Sequence, residues 1–339
     1  MKDNLETRKV QQTGGSSYII SLPKPWITKS GIEKKDTLGI IAQPDGNLLI
    51  TPKFEEKEIL KSKEIKIEGT ENPNFVFRLL IGAYIMGYSK IIIKSSRKIK
   101  SQIRTVIRKF IRIAIGPEIL EESNNYVMMK DLLNPKEMPF EKTIKRMYIL
   151  VENMHKDAIE ALSIKDKKLA EEVVNRDNEI DRLHWLIGRQ SHIVLRDIIL
   201  SQRMGVTLED AHHYQQMSRL LERIGDHAVK IAENVLKTIE HDFDEKLLKR
   251  IKKASEFSIN TLIQSLDAWL QKDINIANDN IESISKLVDI CEHINIDPGD
   301  MNVESYIAFG YIVESLRRTG EYAANICEVI INNLISEEN

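Results

Sequence analysis

Two cysteines in 339 residues, Cys291 and Cys327, are too few for a disulfide framework or a zinc-ligand set. A reducing cytosol is the simplest setting for them. No apolar run reaches the roughly 18 residues of a membrane span. The opening residues, Met1-Lys-Asp-Asn-Leu-Glu-Thr-Arg8, lack the apolar core of a secretory signal, so a cytoplasmic protein is expected. No charge of one sign dominates: the formal net charge is −2, so any contact with nucleic acid must come from a local patch. Neither a Walker-type loop nor a Gly-x-Gly-x-x-Gly fingerprint occurs, which removes the commonest nucleotide sites. No nucleophile–base pair is recognisable, and a non-enzymatic role is expected. What remains is 42% apolar and 29% charged residues, enough for two or three domains with well-solvated helices.

The most informative stretch is Arg219 to Asn234, which reads as part of one long helix. Met217, Leu221, Ile224, Ala228, Ile231 and Val235 recur at alternating steps of three and four and form an apolar seam. Glu222 and Asp226 stand four apart, roughly 160° round the helix from that seam, and are expected on its outer surface. Like charges at this spacing destabilise a helix by about 0.2–0.5 kcal/mol, a penalty that a bound cation reverses. A second pair, Asp177 and Asp181, lies upstream on the flank of the seam Leu169, Val173, Ile180, Leu183, Ile187. Four carboxylates on two helices offer hard oxygen ligands. They also fit a solvated acidic face, with Arg176, Arg182, Arg219 and Arg223 as local counter-charges.

The run Leu221-Glu-Arg-Ile-Gly-Asp-His-Ala228, then Ile231-Ala-Glu-Asn234, preceded by Asp177-Asn-Glu-Ile-Asp181, resembles the PhoU family of phosphate-uptake regulators over roughly residues 138–336. The resemblance implies two three-helix bundles and paired Glu/Asp-x-x-x-Asp motifs holding a surface metal cluster. On that implication Asp177, Asp181, Glu222 and Asp226 are the metal ligands. An all-carboxylate set suits magnesium, manganese or iron; zinc suits it less, because no cysteine or correctly spaced histidine joins.

Residues 1–53 read as a small β domain. Strands are expected at Arg8–Thr13, Tyr18–Leu22, Leu38–Ala42 and Leu48–Thr51, with a short helix at Pro25–Ser30 and a hairpin turn at Asp45-Gly46. Arg8-Lys9-Val10, Gly14, Ser21-Leu-Pro-Lys24, Gly31-Ile32, Lys35-Asp36 and Asp45-Gly46, in this order, resemble the SpoVT/AbrB swapped-hairpin family of DNA-binding domains. That resemblance implies a dimer with interleaved hairpins, since a single copy is too small to bury its own core, and basic residues that contact DNA phosphates. Residues 1–35 carry seven lysines and arginines against three acids. Arg8, Lys9 and Lys24 are the expected contacts. The same surface fits a domain that only dimerises.

Residues 63–134 alternate strand and helix and are expected to form a small βαβαβ domain. Its second helix, Lys98 to Ile115, carries Lys98, Lys100, Arg104, Arg108, Lys109 and Arg112, as a solvated face or as a second phosphate- or partner-contacting one. From Phe140 onward the period is helical, with helices at about 140–163, 166–203, 207–240, 245–271, 273–296 and 302–335. Glu222–Glu233 aligns with Arg317–Glu328 at an offset of 95, so bundles spanning 138–240 and 243–336 are duplicates. In the second copy Arg317 replaces Glu222, and Ile284 and Val288 stand opposite Asp177 and Asp181, so a metal site is expected in the first bundle and none, or a degraded one, in the second. Together these readings describe a multidomain α+β chain. Its function is expected to be regulation of phosphate uptake, coupled to DNA through the N-terminal domain. The alternative is a cytosolic adaptor, dimeric through its N-terminus, that acts on a phosphate transporter or sensor by contact without binding DNA.

Overall fold

The structure, a computed structural model, describes residues 6–43, 46–52, 61–68, 72–240, 244–294, 296 and 302–337. Two units divide the chain at Ile59 and Leu60. In the first, β1 (Gln11–Thr13) pairs antiparallel with β2 (Ser17–Ile19) across Gly14, whose φ of 57° closes the turn. Helix α1 (Lys24–Ser30) has Pro25 in its first turn and ends at left-handed Gly31. β3 (Gly39–Ala42) pairs antiparallel with β4 (Leu48–Thr51); Pro44 and Asp45 of the expected turn lie outside the described residues. The two hairpins are separate two-stranded sheets. Both strands of the first are shorter than the sequence suggests. None of the described residues of this unit is buried, and Val10, Tyr18, Ile19, Ile20, Ile40 and Leu48 are exposed.

The second unit opens with an α/β layer: β5 (Ser62–Ile67), α2 (Pro73–Ile85), β6 (Lys90–Ser95), α3 (Ser101–Ile113), β7 (Pro117–Glu122) and β8 (Tyr126–Asp131). The sheet order is β5-β6-β8-β7, with β5 parallel to β6 and the other pairs antiparallel. This corrects the expected βαβαβ unit: the last connection is a hairpin, and β7 is an additional strand. The sequence of β7, Pro-Glu-Ile-Leu-Glu-Glu, hides it. A proline start and three glutamates suit a strand at a sheet edge, where one side faces water and one row of backbone groups needs no partner. Ile65, Ile67, Ile91, Ile93, Val127 and Met129 form the core with Val76, Leu80 and Tyr84 of α2 and Ile103, Ile107 and Phe110 of α3.

The remainder is helical: α4 (Phe140–Ile164), α5 (Lys167–Asn175), α6 (Asp177–Val194), α7 (Ile198–Met204), α8 (Leu208–Thr238), α9 (Glu245–Gln271), α10 (Ile274–Glu292) and α11 (Val303–Glu337). The helix expected over 166–203 is three. A tightened turn at Arg176 separates α5 from α6, and the helix breaks at 195–197, where Asp197 caps α7 by accepting Leu200 N–H (3.0 Å). Helix α8 starts at a capping box: Asp210 N–H donates to Thr207 Oγ1 and Thr207 N–H to Asp210 Oδ2, each at 2.9 Å.

The duplication is visible in backbone detail. Lys165 and Lys272 are both left-handed, with φ of 55° and 52°. Each is followed by an aspartate, Asp166 or Asp273, that caps the next helix. Helices α4, α5–α6 and α8 make one three-helix bundle, and α9, α10 and α11 the other. They share one apolar core and pack chiefly through α8 against α11.

The α/β layer is fastened to α6. Trp185 packs into its core, edge-on to Phe77 (6.2 Å). The buried Arg189 guanidinium reaches Asp131 (2.6 Å) and donates to the carbonyls of Tyr84 (2.7 Å) and Tyr88 (3.0 Å). Among the described residues no helix is long and apolar enough to cross a membrane.

Candidate functional site

Helices α6 and α8 run antiparallel at close range. Ser191 Oγ donates to the carbonyl of Ala211 (3.0 Å), His184 Nδ1 lies 3.1 Å from Ser218 Oγ, and Gly225 faces Ile180. A Cβ on Gly225 would stand 3.3 Å from both Cγ atoms of Ile180, so glycine is what lets the helices approach here. The carboxylates lie on either side of this contact. Asp177 and Asp181 come from the first turns of α6, Glu222 and Asp226 from the middle of α8.

The structure brings the four together electrostatically. Burial, then the charges of Asp177, Glu222 and Asp226, push the Asp181 carboxyl up to about 7. Asp177 is held above its ordinary range by burial, Asp226 and Glu233, and Glu222 by burial and Asp226, against the lowering pull of Arg223. Arg223 stands 3.7 Å from Glu222 and 3.4 Å from Asp226. Among the described residues no three acidic, histidine or cysteine side chains converge to hold one ion directly. The donors fit a hard cation in chemistry: they are all oxygen, half-buried and mutually repelling.

The expected outer position of Glu222 and Asp226 needs correction, since both are half-buried, with side chains 22% and 32% exposed. The angle from one seam places them outside, but α8 is packed on two sides. Helix α6 crosses it at Gly225, beside the two carboxylates, and α11 of the second bundle covers another side, where the buried His227 meets the Tyr322 ring at 5.7 Å.

Two neighbours escape a reading based on paired carboxylates. Glu233 follows Glu222 by eleven residues, which at about 100° per residue returns it to the same face of α8. His184 sits one turn after Asp181, and burial with the cations of Arg219 and Arg223 pushes its imidazole down to about 4. Helical spacing from Asp181 and Glu222 is the signal that finds both.

The second bundle reproduces the scaffold with different chemistry. A Cβ on Gly320 would stand 2.1 Å from Leu287 Cδ2, the counterpart of Gly225 against Ile180. At the carboxylate positions, however, Arg317 pairs with both Glu321 and Glu314, and Arg318 holds the other oxygen of Glu321 at 2.6 Å. Arginine side chains here supply the positive charge.

In the N-terminal unit Arg8, Lys9 and Lys24 are all exposed. Arg8 pairs with Glu6 and donates to the carbonyl of Thr7 (3.1 Å). Lys24 opens α1.

Comparison with known proteins follows this division. The family described as PhoU domain matches residues 144–235, and that described as Antidote-toxin recognition MazE, bacterial antitoxin, matches 11–57. A phosphate-specific transport system accessory protein PhoU homolog of Caulobacter vibrioides is 31% identical over 206 residues, covering 58% of this chain and 86% of that protein. PhoU homolog 1 of Thermotoga maritima is 26% identical over 197 residues, covering 56% and 82%. The crystal structure of PhoU from Pseudomonas aeruginosa superposes with a TM-score of 0.51 at 22% identity, over 58% of this chain and 96% of that one, a likeness of fold. Two helical bundles, a glycine-mediated α6–α8 contact flanked by paired carboxylates, and nearly whole-length similarity to these relatives lead to one conclusion: the chain belongs to the PhoU family.

Proposed function

We propose that this chain is a regulator of phosphate uptake that joins a cation-binding PhoU-type helical unit to a dimeric DNA-binding unit. The observation that carries the reading is the α6–α8 carboxylate set: three of its four members are raised in proton affinity by half-burial and by one another. A hard divalent or trivalent cation, magnesium, manganese or iron, held by Asp177, Asp181, Glu222 and Asp226 would neutralise that repulsion. The ion's role would be to neutralise the charge these residues hold between α6 and α8, with no catalysis. Relatives named as accessory proteins of phosphate-specific transport support the process, and transporter or sensor components are the corresponding partners.

The N-terminal unit supports the second half. Two separate hairpins and the absence of any buried residue among those described are what a domain that completes its core with a second copy exhibits. Exposed Arg8, Lys9 and Lys24 then contact DNA phosphates. The test compares chromatin occupancy of the native protein in its host under phosphate-replete and phosphate-starved growth, together with duplex binding in vitro. Occupancy that changes with phosphate, and binding that weakens in the Arg8→Ala, Lys9→Ala, Lys24→Ala variant with a salt slope flatter by about 1 per lost contact, are expected. No binding at about 50 mM salt would overturn the DNA reading and leave a dimeric adaptor.

A further inference from the structure

We propose that the outer surface of α3 is a second phosphate-contacting face, which takes the backbone of duplex DNA in addition to the N-terminal unit; this rests on the DNA-binding reading above. Between Asn72 and Pro117 the chain carries ten lysines and arginines and no aspartate or glutamate, although acids outnumber bases by two in the protein as a whole. These residues build α2, β6 and α3. On α3, Lys100, Arg104, Arg108 and Arg112 recur every fourth residue, a ridge about 18 Å long at 1.5 Å per residue. Like charges at this spacing destabilise a helix. The packing of α3 does not ask for them, because Ile103, Ile107 and Phe110 hold it to the sheet from a different face.

Internal partners absorb only part of this charge. Glu122 of β7 pairs with Arg104 and lies 3.6 Å from Arg108, and Arg104 also donates to the carbonyls of Ser123 and Asn124 (2.5 and 3.0 Å). Lys109 stands over the Phe77 ring (5.2 Å). Arg97, Lys98, Lys100 and Arg112 are exposed and form no ion pair among the described residues. The partner's chemistry follows from what the face offers. It presents guanidinium and ammonium groups in a row, suited to successive phosphates. No large apolar side chain of α3 is exposed, whereas helices that lie on lipid bury an apolar side in the acyl boundary. A polyphosphate backbone read without base contacts matches this surface.

The test uses the full chain and a mixed-sequence duplex of about 40 base pairs, followed by fluorescence anisotropy from about 50 to 300 mM salt. Lys98→Glu, Lys100→Glu and Arg112→Glu are combined. A second variant carries glutamine at the same positions, and thermal unfolding checks that both fold as the wild type does. The expected result is a loss of at least about tenfold in affinity, with a salt slope flatter by about 2–3 units, roughly 0.9 for each lost contact. The glutamine variant should flatten the slope likewise. Wild-type affinity and slope in both variants, while the Arg8→Ala, Lys9→Ala, Lys24→Ala protein loses binding, would overturn this proposal and leave the DNA reading standing. No duplex binding by the wild type would overturn both. Vesicles rich in anionic lipid provide a further arm: variants that lose vesicle binding but bind DNA normally would assign the face to a membrane surface and sink the proposal.

Discussion

Replacing His155 with leucine should remove one component of the pH dependence of stability that the wild type carries. His155 lies on α4, fully buried, and neither ring nitrogen has a hydrogen-bond partner among the described residues. Burial, reinforced by the neighbouring His227, pushes its imidazole from 6.5 down to about 4. The folded pKa is therefore depressed, so between these values the unfolded chain binds the extra proton and the folded chain does not. Stability is full above the unfolded value and falls as pH drops toward the folded one. A shift of this size amounts to about 3 kcal/mol in all, of which about 2 kcal/mol is already lost near pH 5. Leucine removes the term, and removes two unpaired polar atoms as well, so near neutral pH the variant should equal or slightly exceed the wild type. Urea unfolding followed by helical circular dichroism at about pH 7.5 and about pH 5 measures both effects. The gap in favour of leucine should widen by about 2 kcal/mol at the lower pH. Parallel loss in both proteins would refute the reasoning. So would collapse of the leucine variant near neutral pH, which would mean that the ring nitrogens are satisfied.

Deleting residues 1–53 should reduce the assembly to a smaller species by light scattering, because the two separate hairpins hold no buried residue of their own; an unchanged stoichiometry would place the dimer contact elsewhere. Arg189→Met should destabilise the second unit by about 3–5 kcal/mol, since it strands Asp131, buried with it, without a counter-charge. The double change with Asp131→Leu should recover much of that loss, and equal instability in both would show that the ion pair is not what fastens the α/β layer to α6.

Much of this architecture is legible in the residues. The alternation of three and four marks α8 from Met217 to Val235, and aspartate or threonine caps at 166, 207 and 273 mark helix starts within a residue or two. The pairing of Gly225 with Gly320 predicts a duplicated scaffold, and Ile180 and Leu287 occupy equivalent places against them. The failures have physical causes. β7 is too acidic to look like a strand because it lies at an edge. The breaks between α5, α6 and α7 involve neither glycine nor proline at Arg176 and Asp197, so no local residue announces them. The depth of Glu222 and Asp226 comes from α6, which packs beside them at Gly225 and brings Asp177 and Asp181 alongside, and a helical wheel of α8 alone cannot contain that neighbour. Arg189 is invisible as a fastening point because its partners, Asp131 and the carbonyls of Tyr84 and Tyr88, are some sixty to a hundred residues away.

The cation site is the claim on which the account turns, and thermal unfolding of wild type beside Glu222→Gln/Asp226→Asn tests it most directly. With a chelator, the double variant should melt at the wild-type temperature or slightly above, because a like-charge pair has been removed. With manganese at about 100 times its dissociation constant, the wild type should gain about 2.7 kcal/mol by mass action while the double variant gains little. An equal response of both proteins to the metal would contradict the account and make these carboxylates a solvated acidic flank.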